Sequence, residues 1–300
     1  MSAPTPPTPR RIWTTLDLLK WTRDFFARKG LESPRLEAEL LLAGAIGCER
    51  VRLYTDFEKP LEEDVLARFR EWVKRRAERR EPLAYILGRA QFIELQLEVT
   101  PAVLIPRPET EELADWGRAL LKGWQDGSDL RVLDIGTGSG CLALALACGD
   151  PRVHVTATDI SPGALDVARR NAARLALSER IQFLEGDLFQ ALPAEHRGSY
   201  RLIVANPPYI DPDRRGTLAP EVRDHEPGCA LFAEDQGRAI VHRIADQAPD
   251  WLAPGGWLGM EIAPEQAAGV RERLLTRGGF AQVEIRKDAR QMDRMVLAHR

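Results

Sequence analysis

The sequence predicts an α/β protein: a small all-helical N-terminal domain and a β-hairpin linker, followed by a seven-stranded, mostly parallel, doubly wound sheet. Three observations predict it. Beyond Leu130, short apolar runs of strand character alternate with helical patterns. Residues 14–81 carry helical signals and none of a strand. Residues 91–105, between these stretches, switch to a two-residue rhythm.

Taken in order, Thr15 reads as an N-cap for a helix carrying Leu16, Leu19, Trp21, Phe25 and Phe26, which Gly30 closes. Ser33-Pro34 opens a second helix, with Ser as N-cap and Pro at the first helical position, ahead of Leu40-Leu41-Leu42. A third is expected from Glu62 to Glu81. It carries the basic run Arg68, Arg70, Lys74, Arg75, Arg76, Arg79 and Arg80. Glu71 and Glu78 dilute the run, so it reads first as a solvated helix face. A docking face for an acidic protein or for RNA is the alternative. Next, Phe92, Glu94, Gln96 and Glu98 alternate with Ile93, Leu95, Leu97 and Val99, the pattern of a hairpin. The sheet strands are expected at 130–135, 153–158, 181–184, 200–205, 256–262, 281–285 and 293–298. The resulting division is a disordered tail at 1–11, a helical domain at 12–83, a hairpin linker at 84–107 and the sheet domain at 108–300.

Composition narrows the class of function. The chain has 300 residues, 44% hydrophobic and 29% charged, enough for two packed domains. Its formal charge of -3 argues against nucleic-acid phosphate as the main partner. Cys48, Cys141, Cys148 and Cys229 form no C-x-x-C pair and no zinc-finger spacing, so reduced thiols and no metal are expected. No apolar run is long enough to span a membrane. The proline-rich start, Met1 to Arg10, has no apolar segment of the kind a signal peptide needs, so a cytoplasmic protein is expected.

The candidate site residues fall at strand ends, where doubly wound sheets bind ligands. The strand Val132-Leu133-Asp134-Ile135 runs into Gly136-Thr137-Gly138-Ser139-Gly140 and then an apolar helix. The glycines allow a tight turn and close backbone approach, and the helix start offers free N–H groups. Cys141 stands where a dinucleotide fingerprint would need glycine, so the turn suits a ligand without a pyrophosphate. Asp159 ends the next strand about 20 residues on, where a carboxylate can accept from both ribose hydroxyls. Asp187, in Gly186-Asp187-Leu188-Phe189, is placed to accept from an adenine amino group, with Leu188 covering the base.

A fourth strand end reads Asn206-Pro207-Pro208-Tyr209. The prolines fix their own φ angles and hold the Asn206 side chain and the Pro207 carbonyl in preset directions. Both oxygens can accept from one NH2 group, and the Tyr209 ring can cover a flat target. That pair suits an amide or exocyclic amine, whose lone pair is delocalised and must be oriented toward an electrophilic methyl.

Together these residues resemble the HemK/PrmC family, the protein-(glutamine-N5) methyltransferases of peptide chain release factors. The similarity runs from about Ile12 to the C-terminus. It includes Ser33-Pro-Arg-Leu-Glu-Ala-Glu-Leu-Leu-Leu42, Glu81-Pro-Leu-Ala-Tyr-Ile-Leu-Gly88 and Ile105-Pro-Arg-Pro-Glu-Thr-Glu111. It continues with Asp134-Ile-Gly-Thr-Gly-Ser-Gly140, Asn206-Pro-Pro-Tyr-Ile210, Glu226-Pro227 and Asp293-Arg294. The resemblance implies a Rossmann-like class I methyltransferase domain using S-adenosyl-L-methionine and releasing S-adenosyl-L-homocysteine. Gly136, Thr137, Gly138, Ser139, Gly140, Asp159, Asp187, Leu188 and Asn206 would hold the cofactor. Asn206, Pro207, Pro208 and Tyr209 would hold the substrate glutamine, which lies in the Gly-Gly-Gln loop of class 1 release factors. Arg107, Thr110 and Glu111 would border the cofactor. The helical domain would help grip the release factor, and the enzyme would be a monomer with no membrane or nucleic-acid substrate. Leu188 departs from relatives that carry an aromatic there.

Three other readings compete. An N-methyltransferase of a nucleic acid base would show a basic cleft. A non-catalytic adaptor would not need the Asn206 tetrad. A dinucleotide oxidoreductase would need glycine in place of Cys141.

Overall fold

The computed structural model describes residues 13–124, 129–276 and 279–300, so the tail expected at 1–11 lies outside them. Contacts divide the chain into two compact units, with the break after Leu87.

The first unit consists of helices α1 (Thr15–Arg28), α2 (Pro34–Ile46), α3 (Arg52–Thr55), α4 (Glu63–Glu78) and α5 (Leu83–Leu87). Thr14, not Thr15, is the first N-cap. Its hydroxyl accepts from the Asp17 N–H at 3.2 Å, and the Asp17 carboxylate accepts back from the Thr14 N–H and hydroxyl. Such a capping box stabilises by about 1 kcal/mol. Ser33 makes no side-chain cap to α2, and Pro34 alone supplies the start signal. Phe26, Leu41, Leu42, Phe69 and Val73 fill the core between α1, α2 and α4. Leu16 and Trp21, expected in the apolar stripe, face solvent.

The helix expected to reach Glu81 stops at Glu78, because the chain turns at Arg80 with φ of 56°. Part of the basic run on it is tied down internally, while Arg70, Lys74 and Arg79 stay exposed. Arg75 forms a two-pronged pair with Glu81, and Arg76, only 6% exposed, pairs with Glu37 of α2. Arg68 donates to the Ala45 carbonyl at 2.7 Å. These arginines tie α4 to its neighbours, which is a third role beyond the two the sequence suggested.

In the second unit, strands β1 (Arg89–Phe92) and β2 (Leu95–Glu98) form the hairpin, shorter than the expected 91–105. Ile93 takes the turn with φ of 51°, and its N–H donates to Glu111 at 2.8 Å. The two-residue turn resets the alternation, so Phe92 is buried with Leu95 and Leu97 rather than opposed to them. Then follow α6 (Pro108–Lys122), β3 (Leu130–Ile135), α7 (Cys141–Gly149), β4 (Val153–Asp159), α8 (Pro162–Arg174), β5 (Ile181–Glu185) and β6 (Tyr200–Ala205). The chain closes with α9 (Pro220–His225), α10 (Gly228–Leu231), α11 (Ala239–Trp251), β7 (Leu252–Glu261), α12 (Ala267–Thr276), β8 (Gln282–Lys287) and β9 (Asp293–His299).

The seven-stranded sheet has the order β5-β4-β3-β6-β7-β9-β8, and only β9 runs antiparallel to its neighbours. Its strands feed two cores by simple alternation. Leu130, Val132, Leu202 and Val204 pack into one, and Leu133, Ile135, Ile203 and Ala205 into the other. Covering both faces is what a parallel sheet requires. Strand order reverses between β3 and β6, which makes their carboxyl ends the expected ligand crevice.

Candidate active site

Ile135 and Ala205 are register partners on the parallel strands β3 and β6. Gly136 and Asn206 follow them, so the glycine turn and the Asn-Pro-Pro-Tyr turn leave the sheet side by side. A cavity of about 490 Å³ lies over these ends and over the end of β4. Its wall includes Gly136, Thr137, Gly138, Ser139, Asp159, Asp187, Leu188, Asn206 and Pro208. The sequence-predicted residues therefore converge, with three exceptions. Gly140 stands behind the wall as the left-handed N-cap of α7, where an added Cβ would crowd Leu144 and Ala168. Pro207 is itself buried, between the wall residues Asn206 and Pro208. Tyr209 lines a neighbouring groove instead, beside Arg214, Leu218 and Met292.

The glycine turn is held by Gly136 and Thr137, whose N–H groups both donate to the Thr158 carbonyl, at 2.8 and 3.0 Å. Gly136, Gly138 and Gly140 all have positive φ, a conformation that costs an ordinary residue about 1–2 kcal/mol. Asp159 is oriented by backbone: its carboxylate accepts from Gly138 N–H and from Ser161 N–H, each at 2.9 Å. Burial pushes its pKa up, against those N–H groups. Asp187 shares one oxygen with Arg243 at 2.7 Å, so only part of its carboxylate is open to a ligand. Leu188 adopts φ of 53°, the kind of backbone outlier that clusters at ligand sites.

Two acids to which the sequence reading gave no role of their own also belong to the site. Asp134 is 1% exposed and also lines the cavity. Its Oδ2 accepts from the Thr137 hydroxyl at 2.6 Å and the Ala143 N–H, while its Oδ1 is buried with no partner. Burial pushes its pKa up to about 7, opposed by those two donors. Glu261, at the end of β7, is likewise 1% exposed. It accepts from the Thr110 hydroxyl at 2.7 Å and the Tyr209 hydroxyl at 2.8 Å. Thr110 in turn accepts from Asn206 Nδ2 at 2.9 Å. The signal for both acids was present in the sequence: each is the lone carboxylate in an otherwise apolar run, 132–135 and 257–263.

Of the three residues expected to border the cofactor, only Thr110 reaches the cavity. Glu111 holds the hairpin turn. Arg107 pairs with buried Glu226 at 2.6 Å, and Glu226 also accepts from the Ile105 N–H. Glu226 thus ties the segment before α6 to the segment after Asn206, and both contribute to the cavity wall.

Gly237 backs the Asn206 turn from behind. It has φ of +81°, and an added Cβ would land on the Tyr209 carbonyl. Gly237→Ala is expected to destabilise by about 2–4 kcal/mol through strain and overpacking. Thermal denaturation would read this as a Tm lower by several degrees; an unchanged Tm would contradict the close approach.

A switch-point cavity with a glycine turn, a following acid and an Asn-Pro-Pro-Tyr strand end, on this seven-stranded sheet, defines a class I methyltransferase domain. Residues 17–88 match the PrmC N-terminal domain, and residues 111–219 match the Methyltransferase small domain. The chain is 43% identical over 278 residues to the release factor glutamine methyltransferase of Rhodopirellula baltica, covering 92% of this chain and 93% of that protein. It is 44% identical over 285 residues to that of Geobacter sulfurreducens, covering 95% and 96%. Among solved structures, the hMettl16 catalytic domain with a 3'UTR hairpin shares the fold, at a TM-score of 0.53 and 18% identity, over 79% of this chain and 82% of that one. The chain belongs to the release factor glutamine methyltransferase family.

Among the described residues, no helix is long and apolar enough to cross a membrane, and no group of three or more His, Cys, Asp or Glu is arranged to hold a metal ion.

Proposed function

We propose that this chain transfers a methyl group to the side-chain amide N5 of the glutamine in the Gly-Gly-Gln loop of class 1 peptide chain release factors. The observation that carries this is the single cavity shared by the glycine turn and Asn206. A nucleoside cofactor and a target amide can meet there. Its acceptors and apolar wall fit S-adenosyl-L-methionine. Asp159 offers ribose acceptors, the unpartnered Oδ1 of Asp134 suits the methionine ammonium, and Leu188 and Ile240 give apolar cover for the adenine. When bound, the cofactor supplies an electrophilic methyl on a sulfonium and becomes the neutral thioether.

The chain's own residues orient the nucleophile. Asn206 Oδ1 and the Pro207 carbonyl accept from the two hydrogens of the glutamine NH2. The nitrogen lone pair is thereby turned along the line of attack. The same oxygens favour the positive charge that grows on nitrogen as the N–C bond forms and the S–C bond breaks. The protonated amide left behind is a strong acid and yields its proton to water, so no basic side chain is needed.

The test is methyl transfer from labelled cofactor to a release factor, followed by mass analysis of the Gly-Gly-Gln peptide. One added methyl on that glutamine is the expected result. Label in RNA alone, with the release factor untouched, would assign the site to a nucleobase amine instead.

A further inference from the structure

We propose that Thr110 and Glu261 are positioning residues that fix which end of the Asn206 carboxamide faces the substrate. The inference rests on the reading that Asn206 accepts from the target amide. The two ends of an asparagine carboxamide are nearly the same size and differ only in hydrogen bonding. Shape alone cannot choose between them. Here the choice is made by a chain of protons. An ionised Glu261 can only accept, so the Thr110 hydroxyl spends its single proton on Oε2 at 2.7 Å. The Thr110 oxygen is then left only as an acceptor, and the group 2.9 Å away must be the NH2 end of Asn206. Oδ1 is what remains for the cavity. The Tyr209 hydroxyl occupies the other Glu261 oxygen at 2.8 Å, so both ends of the Asn-Pro-Pro-Tyr segment hang on one buried carboxylate, Asn206 through Thr110 and Tyr209 directly.

Protonating Glu261 reverses the chain. A neutral carboxyl donates to Thr110, Thr110 donates to Asn206 Oδ1, and NH2 swings to the cavity, where it meets the target's NH2 donor to donor. The groups facing Glu261 are the Thr110 and Tyr209 hydroxyls, which hold the ionised form, together with Arg294 on β9, which favours it, Glu109 on α6, which opposes it, and the Cys141 thiol at the start of α7, which burial keeps neutral. Burial outweighs them and pushes its pKa above the ordinary range. The productive polarity is therefore present above that raised pKa and is lost as pH falls through it.

The chain's only two asparagines are Asn171 and Asn206, which makes the test unusually clean. Selective 15N labelling of asparagine yields two side-chain NH2 signals. Asn171, which donates to the Glu98 and Ser139 carbonyls, serves as the internal reference. At alkaline pH, Thr110→Val, isosteric but without the hydroxyl, is expected to shift the Asn206 signal and speed its exchange while Asn171 stays fixed. Thr110→Ser is expected to restore it. In release-factor methylation, Thr110→Val is expected to lower kcat about 10- to 100-fold, with calorimetric affinity for S-adenosylhomocysteine unchanged and with rescue by serine. Glu261→Gln is expected to lower kcat and to remove the acid limb from the wild-type profile of kcat against pH.

An unmoved Asn206 signal in Thr110→Val would overturn the proposal. So would a moved signal with an unchanged kcat, an equal loss of cofactor affinity, or an acid limb surviving in Glu261→Gln. Wild-type protein that methylates no release factor would defeat the proposed function, yet the NMR comparison would still decide the polarity of Asn206.

Discussion

Asn206→Ala is expected to lower kcat for release-factor methylation about 100- to 1000-fold, the usual cost of removing one oriented polar group at a reacting centre. The affinity for S-adenosylhomocysteine should stay close to wild type, which would leave Asn206 with the substrate and take it out of the cofactor-holding set that the resemblance implies. Asn206 is half-buried and its Nδ2 bonds only sideways to Thr110, so truncation frees one acceptor and leaves the glycine turn intact. The loss falls on orientation of the substrate nitrogen. Single-turnover kinetics at saturating cofactor separates this from weakened binding. A variant that kept the wild-type rate would remove the role assigned to this side chain.

Asp159→Ala is expected to do the opposite. Its carboxylate is already aimed by two backbone N–H groups, and charge-assisted hydrogen bonds contribute roughly 1.5–3 kcal/mol each. Losing the ribose contacts should raise the Kd for S-adenosylhomocysteine about 100-fold. At saturating cofactor, kcat should change only about threefold or less, because Asp159 holds the cofactor and not the reacting nitrogen. Isothermal titration and a rate series over cofactor concentration would measure both. Unchanged affinity would contradict the assignment.

How far the sequence could be read depended on what carried each signal. The glycine turn, Asp159 and Asn206 were legible because their residue types are unusual at strand ends and each signal is contained in a few consecutive residues. Seven strands could be placed because strands buried on two faces read as short, nearly continuous apolar runs between turn signals. Errors came where neighbouring residues offer the same chemistry. Thr14 and Thr15 are both competent N-caps, and only the bond with Asp17 separates them. The hairpin phase was misread because nothing local marks Ile93 as a turn residue; its N–H is held by Glu111 from another element. Thr110 could not be given a role from sequence at all. Its partners lie 96 and 151 residues away, and their meeting is a product of the sheet order. The expectation for Asp187 was narrowed for the same reason, since Arg243 arrives from 56 residues on.

The pairing of Ile135 with Ala205 carries an evolutionary consequence. Because those two residues also point into the interior, sliding β6 by a single position would send each of its core side chains into the wrong one of the two cores and carry the reactive amide holder to the opposite face of the sheet. The span between the two reactants is consequently locked to the same zipper that keeps the protein folded. Descendants of such a scaffold can adapt to new targets by remodelling the loops that follow the strands, while the distance across which the methyl travels stays inherited.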